Sequence, residues 1–181
     1  MGDDQSMYPV RLVGEKVVLR EFRLDDEDAL LEVIGDDRVT VWLSHDSRSR
    51  DEVQAMLGGI VERARQEPRT EYALAVTLPD SDRLIGLARL GLGVHQGAKL
   101  GYAIRADEWG KGYATDAAST LVKFGFDELG LHRITAAIGP ENAASIAVME
   151  RLGFEYEGQL RDHVFTNGAW RDSMLYSILD T

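Results

Sequence analysis

The chain has 181 residues, of which 44% are hydrophobic, and a formal net charge of -11 at pH 7. This acidic balance argues against broad binding to nucleic-acid phosphates and either favours cationic substrates or only keeps the protein soluble, and no apolar run is long enough to span a membrane. The absence of cysteine excludes disulfides, thiolate metal sites and cysteine nucleophiles, and the four histidines lack paired metal-ligand spacing, so we expect no structural metal and a cytoplasmic protein.

We expect residues 1–10 to form a flexible leader and residues 11–181 to form a single domain, because no linker-like stretch divides the chain. Met1, Gly2 and Ser6 also match a short myristoylation pattern, for which a disordered leader is the simpler interpretation.

The first segment of the domain predicts a strand followed by a helix. Alternation over residues 17–22 favours a strand, and Asp25 can cap a helix that Gly35 would end. The loop at residues 41–43 is apolar without a helical or strand period.

A second helix and a hairpin come next. Ser49 stands at capping-box spacing before a helical stripe of apolar residues that continues to Ala64. Residues 72–78 and 84–90 flank a turn-rich connector, which predicts two neighbouring strands.

Strands and helices alternate in the rest of the chain. A strand at residues 100–104 precedes a helix-periodic run from Ala114 to Leu129, and residues 133–138 form a further strand. An Asn142 cap and Gly153 bound a last helix.

Residues 154–160 and 170–178 close the chain as two strands around the turn at Thr166 to Gly168. This order predicts a mixed sheet covered by helices on both faces.

The turn between residue 104 and the following helix has the features of a phosphate cradle. Gly110 and Gly112 can adopt backbone angles closed to other residues, and their amides can point at one anion together with the positive end of the helix. Such turns also occur without a ligand, so the loop alone leaves both interpretations open. Neither a Gly-Lys-Ser/Thr loop nor a Gly-x-Gly-x-x-Gly turn is present there.

Two segments together resemble the GNAT superfamily of N-acetyltransferases. Trp109-Gly-Lys-Gly-Tyr-Ala114 is similar to the family's pyrophosphate loop, Gln/Arg-x-x-Gly-x-Gly/Ala, although Trp109 replaces the usual Gln or Arg. Glu141 to Phe154 is similar to its Asn-x-x-Ser...Leu-Gly-Phe helix. The resemblance covers about residues 17–178 and is greatest to the ribosomal-protein N-acetyltransferase (RimJ/RimL-like) branch.

The resemblance implies an α+β fold with α/β/α layers. Its central sheet would be mixed, mostly antiparallel and about seven-stranded, with a splayed centre and helices on both faces. It also implies acetyl-CoA as cosubstrate. The residues implied in binding it, through the diphosphate loop, the splayed strand and the last helix, are Ala103, Ile104, Arg105, Trp109, Gly110, Lys111, Gly112, Tyr113, Ala114, Thr115, Asn142 and Ser145.

Acetyl transfer to an amine needs an oxyanion stabiliser and a proton for the leaving thiolate. The resemblance implies the backbone N–H near Ile104 as the first and the Ser145 hydroxyl as the second. Met149 stands where many relatives carry a catalytic tyrosine. From spacing alone, Ser145 would be a first-turn residue that bonds to the backbone, and Asn142 an ordinary helix cap.

A general base is not evident. Lys99 stands where relatives often place a glutamate, and Glu71, Asp162 or His163 would have to act through water. An acceptor with a low pKa, such as a peptide α-amine near 8, would need little help.

The acceptor is expected to be an amine, either a protein N-terminus or a small molecule such as an aminoglycoside, polyamine or amino acid. The resemblance implies that Trp42 and Tyr102 line the acceptor pocket and that a homodimer can form. Because Lys99 and Met149 replace usual catalytic groups, a non-catalytic acyl-CoA-binding module is the alternative of another class.

Overall fold

The computed structural model describes residues 7–181. The myristoylation pattern and the first six residues of the expected leader lie outside the described residues. The strands are β1 (Arg11–Val13), β2 (Val18–Glu21), β3 (Glu71–Thr77), β4 (Leu84–Leu92), β5 (Gly97–Ile104), β6 (Arg133–Ile138), β7 (Glu155–Thr166) and β8 (Ala169–Leu179). They form one sheet in the order β1-β2-β3-β4-β5-β6-β8-β7, so β1 and β7 are its edges.

One pair of strands opens the sheet at its centre. All neighbouring strands run antiparallel except β5 and β6, which are parallel. Their ladder joins only Gly97–Lys99 to Arg133–Thr135. Beyond Lys99 the two strands continue to Ile104 and Ile138 without pairing to each other, which is the predicted splay.

Helices pack on both faces of this sheet. The helices are α1 (Glu27–Ile34), α2 (Asp37–Thr40), α3 (Arg50–Arg63), α4 (Tyr113–Asp127) and α5 (Ala143–Arg151). One hydrophobic cluster joins buried residues of α4 and α5 to one face of the sheet, and the other joins α1 and α3 to the opposite face. Because side chains alternate along a strand, β5 supplies Leu100 and Ile104 to the first cluster and Ala103 to the second.

Two helix starts follow the predicted capping chemistry, whereas the predicted Asp25 cap is wrong, because α1 begins after Asp26 with no side-chain cap bond. Ser49 accepts a hydrogen bond from the Glu52 amide at 3.3 Å, and the Asn142 side chain accepts one from the Ser145 amide at 3.2 Å. Gly35 lies at the end of α1 as predicted.

Three features differ from the sequence-based expectations. The sheet contains eight strands within residues 7–181, because the three-residue β1 is too short to show a periodic pattern. The short α2 falls in a segment predicted as loop, where an Asp36 cap suffices to start a single turn. β7 also runs six residues beyond its predicted end, through a break in register between Leu160 and Val164.

The end of the expected leader packs against the domain. Val10 is only 5% exposed and its amide donates to Glu21 Oε1 at 3.1 Å, and the Met7 carbonyl accepts from Arg69 Nη1 at 3.0 Å. Among residues 7–181, no helix is long and apolar enough to cross a membrane. The same residues contain no cluster of three or more His, Asp or Glu side chains arranged to hold a metal ion.

Candidate functional site

The glycine turn forms an open cradle at the start of α4. Gly110 and Gly112 have φ angles of 77° and 82°, and Gly112 is the N-cap of the helix. The first intrahelical bond runs from the Asp116 amide to the Gly112 carbonyl at 3.1 Å, so the three preceding amides, of Tyr113, Ala114 and Thr115, have no acceptor in the helix. These amides and the helix dipole favour an anion at this position.

A lysine from the N-terminal part of the chain lies at this cradle. Lys16 Nζ donates to the Lys111 carbonyl at 2.9 Å, and a Cβ added at Gly112 would lie 2.8 Å from the same nitrogen. Asp116 holds the Lys16 segment in place, because its carboxylate accepts the amides of Glu15, Lys16 and Val17 at 3.1, 2.7 and 3.0 Å. The sequence gives no local signal for Lys16, since the contact joins residues 95 positions apart.

Lys111, the lysine within the turn, pairs with a carboxylate of the protein. Its Nζ lies 2.7 Å from Glu108 Oε2, and Arg83 Nη1 lies 2.9 Å from the other oxygen. Hydrogen bonds from Lys111 and Arg83 lower the pKa of Glu108. Lys16 is therefore the ammonium group with no carboxylate partner, within the described residues, that borders Gly112.

Trp109 has a defined contact in place of the usual Gln or Arg. Its indole N–H donates to the Ile104 carbonyl at 2.8 Å. This bond ties the end of β5 to the glycine turn, so the cradle and the splay are held together.

The edge of β5 that faces the splay can be read from its pairing with β4. The Arg105 amide donates to the Ile85 carbonyl at 2.7 Å, and Gly86 lies opposite Ile104. In an antiparallel ladder the polar groups of successive residues point to alternate sides, so those of Ile104 and Tyr102 point away from β4.

Two residues predicted to pair with an extended ligand are therefore engaged elsewhere. The Arg105 amide is bonded to β4, and the same alternation directs the backbone of Ala103 to Leu87. The Arg105 side chain pairs with Glu32 and Asp107. The backbone groups available at the splay are the Ile104 amide and the amide and carbonyl of Tyr102, because the ladder leaves only alternate residues free and Trp109 already binds the Ile104 carbonyl.

Tyr102 and Ser145 meet across the splay. The Tyr102 hydroxyl is buried and makes no hydrogen bond of normal geometry in the described part of the chain. Burial raises the pKa of Tyr102, and the Ser145 side chain opposes the shift. Met149, one turn further along α5, is fully buried in the core.

The candidate bases occupy different surroundings. Glu71 lies opposite Gly91, which pairs with Lys99, so it is at the far end of the sheet from Ile104. Burial opposes the charged form of Glu71, but hydrogen bonds from arginines 63 and 89 outweigh it and keep its pKa below the ordinary value. A carboxylate held by two guanidinium groups is a weak base, which corrects the suggestion that Glu71 acts as one.

The other two candidates lie on β7. The amide of Asp162, a residue with a φ of 44°, donates to Asp172 Oδ1 at 2.8 Å. His163 Nδ1 lies 2.9 Å from the Ser173 hydroxyl, and Ser173 is buried on β8.

A loop and a hairpin form the wall on the α1/α3 side of the splay. Trp42, in the loop after α2, is 40% exposed. Asp46 joins this loop to the β7–β8 hairpin by accepting the Thr166 hydroxyl and the Asn167 amide, both at 2.7 Å. Arg171 of β8 adds a bond from Nη1 to the Leu43 carbonyl at 3.1 Å.

Comparison with known proteins gives one consistent result. The family model for the acetyltransferase (GNAT) domain matches residues 16–155. An uncharacterized N-acetyltransferase of Bacillus licheniformis is 30% identical over 93% of this chain and 95% of its own length. A ribosomal protein uS5-alanine N-acetyltransferase of Escherichia coli is 30% identical over 98% of this chain and 94% of its own.

A solved structure extends this likeness to the fold. The structure of Mycobacterium smegmatis RimJ in complex with CoA-disulfide superposes with a TM-score of 0.83 at 26% identity, over 95% of this chain and 88% of that one.

Proposed function

This chain belongs to the GNAT acetyltransferase family, and from that premise we propose that it transfers the acetyl group of acetyl-CoA directly to a protein N-terminal α-amine in a ternary complex. The enzyme class, N-acetyltransferase, follows from the family. The acceptor and the roles of individual residues are the proposal.

The observation that carries the proposal is the glycine cradle lying beside an unpaired strand edge. A diphosphate suits the free amides at the start of α4, with Lys16 as a charge partner. The pantetheine arm of CoA has two amides, which suit the unpaired backbone groups of Tyr102, and the Ile104 N–H remains for the reacting carbonyl. Both contacts use the backbone, so they depend on the splay rather than on particular side chains.

A cavity next to the cradle suits the remaining part of the cosubstrate. It has a volume of about 560 Å³, and its lining residues include Lys16, Gly112, Lys123 and Arg151. Three cationic side chains at one cavity favour the phosphorylated adenosine of CoA.

The chemistry follows from the groups at the splay. The amine nitrogen attacks the thioester carbonyl carbon, and the Ile104 N–H stabilises the negative charge on the carbonyl oxygen. When the carbon–sulfur bond breaks, the Ser145 hydroxyl donates its proton to the thiolate, and the serine oxygen takes back the proton that the attacking nitrogen loses as it becomes an amide. Tyr102, which is close to Ser145 and otherwise unpartnered in the described residues, orients that hydroxyl.

The acceptor class is inferred because no carboxylate base has been identified at the splay among residues 7–181. Lys99 occupies the position where relatives often carry a glutamate, and Glu71 is bound to two arginines at the far end of the sheet. An α-amine with a pKa near 8 is partly neutral at physiological pH and attacks without a strong base. A lysine-like amine, with a pKa near 10.4, is almost wholly protonated under the same conditions.

CoA release and product mass test the proposal together. Peptides with a free α-amine should give CoA release and gain one acetyl group, whereas the same peptides with a blocked N-terminus should give neither. Tight CoA binding with release no faster than hydrolysis, across peptides and small amines, would instead favour a non-catalytic acyl-CoA-binding module. Acetylation of aminoglycosides or polyamines in preference to peptides would assign the small-molecule alternative.

A further inference from the structure

Arg171 is a half-buried cation without an anionic partner in the described part of the chain. Its Nη1 donates to the Leu43 carbonyl, but its Nε is fully buried and has no hydrogen-bond partner, and the side chain forms no ion pair with any residue from 7 to 181. Burial lowers the pKa of Arg171, as expected for a guanidinium whose charge no carboxylate offsets.

The other buried arginines show how this protein normally accommodates such a charge. Arg20 is 8% exposed and places two nitrogens at 2.9 Å from the two oxygens of Asp26. Arg69 is 6% exposed and binds both oxygens of Glu21, at 2.7 and 3.0 Å. Arg171 differs because no carboxylate among residues 7–181 binds it. Since burying an unpaired charge is costly, we expect an anionic partner from outside the chain.

The guanidinium of Arg171 lies at the mouth of the splay. A Cβ added at Gly139, the residue after β6, would be 3.5 Å from Arg171 Cζ. Lys99 pairs in parallel with Thr135, so the same register places Ala103 level with Gly139 on the two sides of the opening. Arg171 therefore lies on the β6 side of the opening, across from the end of β5 that carries the Ile104 N–H.

Arg171 also points to the face opposite the cradle. Met174 packs with the α4/α5 cluster, and a residue three positions away on the same strand faces the other side. Leu43, its carbonyl acceptor, packs with the α1/α3 cluster. The glycine cradle and Arg171 thus serve different faces, which leaves Arg171 on the side from which an acceptor would enter.

A second cation shares this face. Lys99 alternates with Leu100 of the α4/α5 cluster, so it points to the same side as Ala103. It is exposed and, within residues 7–181, has no ion pair. The carboxylate of Glu157, further along this part of the sheet, is already held by Arg133 and the Ser177 hydroxyl.

We propose that Arg171 binds a carboxylate of the acceptor, so that the acceptor class is an α-amine with a carboxylate close by. Two kinds of molecule carry this chemistry: a free amino acid, and a peptide with an acidic residue immediately after its N-terminal residue. The inference rests on the proposed acetyl transfer for its setting, and it adds the specificity-determining residue. It disfavours polyamines and aminoglycosides, whose additional positive charges Arg171 would repel.

Matched acceptors test this directly. One pair is a tripeptide amide with Asp or Asn at the second position, and the other is an amino acid and its amide. In the unsubstituted protein the carboxylate member of at least one pair should have a kcat/KM about 10- to 100-fold higher, the range expected for a charge-assisted hydrogen bond. The pair that shows the difference identifies the source of the carboxylate.

Variants then assign the preference to Arg171. Arg171→Gln should abolish it mainly through KM for the carboxylate member, while leaving the neutral member within about twofold, and Arg171→Lys should retain part of it. Arg161→Gln, which removes an exposed positive charge from the neighbouring strand, serves as the control and should leave the preference unchanged. A purely structural Arg171 would instead slow both members of each pair equally, and that result would overturn the proposal.

A binding measurement covers the case in which turnover is absent or Arg171→Gln does not fold. Calorimetry on the unsubstituted protein saturated with CoA should show, in at least one of the two pairs, that the Nα-acetylated carboxylate member binds about 10-fold tighter or more than its neutral partner. Equal affinities within both pairs would refute the carboxylate site. Selective binding without turnover would retain the site and refute the proposed acetyl transfer, so the two failures are distinguishable.

Discussion

Replacing Gly112 with alanine should weaken CoA binding, whereas the same change at Gly110 should not. Both glycines have positive φ angles, of 82° and 77°, so alanine pays a similar backbone cost at either position. Their surroundings differ, because a Cβ at Gly112 would lie 2.8 Å from Lys16 Nζ while a Cβ at Gly110 meets no atom within 4 Å. The pair therefore separates strain in the turn from displacement of the lysine.

The expected magnitudes follow from these two effects. A left-handed conformation costs an alanine about 1–2 kcal/mol, and lower entropy of the unfolded chain offsets about 0.4–1 kcal/mol of that. Each variant should therefore melt a few degrees lower, at about 2–4 °C per kcal/mol for a chain of this size. Moving Lys16 from the cradle should cost Gly112→Ala a further 1–2 kcal/mol or so of CoA binding, which is about 5- to 30-fold in Kd.

Thermal melts and titration calorimetry with CoA give the two quantities separately. Similar melting temperatures for the two variants, with a raised Kd only in Gly112→Ala, would support the cradle and the role of Lys16. Equal affinities for both variants and the unsubstituted protein would mean that the diphosphate does not bind over Gly112. The assignment of this turn as the diphosphate site would then be wrong.

Three further results are expected. Ser145→Ala should lower kcat by about 100-fold or more with little change in CoA affinity, and an unchanged kcat would remove Ser145 from proton transfer. Asp116→Asn should lower the free energy of unfolding by about 2–3 kcal/mol, because the carboxylate accepts three backbone amides. Asp127→Asn, which removes one exposed ion pair on the same helix, should barely alter the melting temperature, and equal losses in the two variants would contradict this anchoring. Hydrogen bonds from Arg133 and a serine hydroxyl lower the pKa of Glu157 from 4.5 to about 2. The ionised Glu157 therefore stabilises the fold above pH 4.5, and this stabilisation is lost as the pH falls towards 2. In Glu157→Gln the midpoint of urea unfolding should change less with pH over that range than in the unsubstituted protein. Plots of midpoint against pH that run parallel for the two proteins would argue against the pair.

Local chemistry was sufficient to predict most of the fold. Strand β6 was predicted at residues 133–138 and has those bounds, and the Ser49 and Asn142 caps act as their sequence positions suggested. These features depend on alternation and capping, which a few neighbouring residues determine. The edge strand β1 was missed because three residues, only one of them packed against the core, carry no recognisable period.

The site was predictable only where its residues are close in sequence. The glycine turn and the Asn142 helix are continuous motifs, whereas Lys16 reaches the turn from β1–β2 through Asp116, a contact across 95 or more residues. Arg171 has no signal in the sequence, since its isolation depends on which carboxylates the fold brings near it. Glu71 was a candidate base from the sequence, and it loses that role because its two arginine partners become apparent only in the folded protein.

The positive charge of Arg171 favours a different acceptor from the one that the negative net charge of the whole chain favours. A net charge of -11 attracts cations over long distances, but Arg171 borders the entry face without a carboxylate partner in the described residues. Screening limits long-range attraction to about 8–10 Å at physiological salt, whereas a half-buried guanidinium acts on groups in contact with it. An acceptor that carries both an amine and a carboxylate suits both charges. The negative net charge of the protein attracts the amine, and Arg171 binds and orients the carboxylate. A polycation would satisfy only the first, and its second positive charge would lie against Arg171 at the point where the amine must be placed for attack.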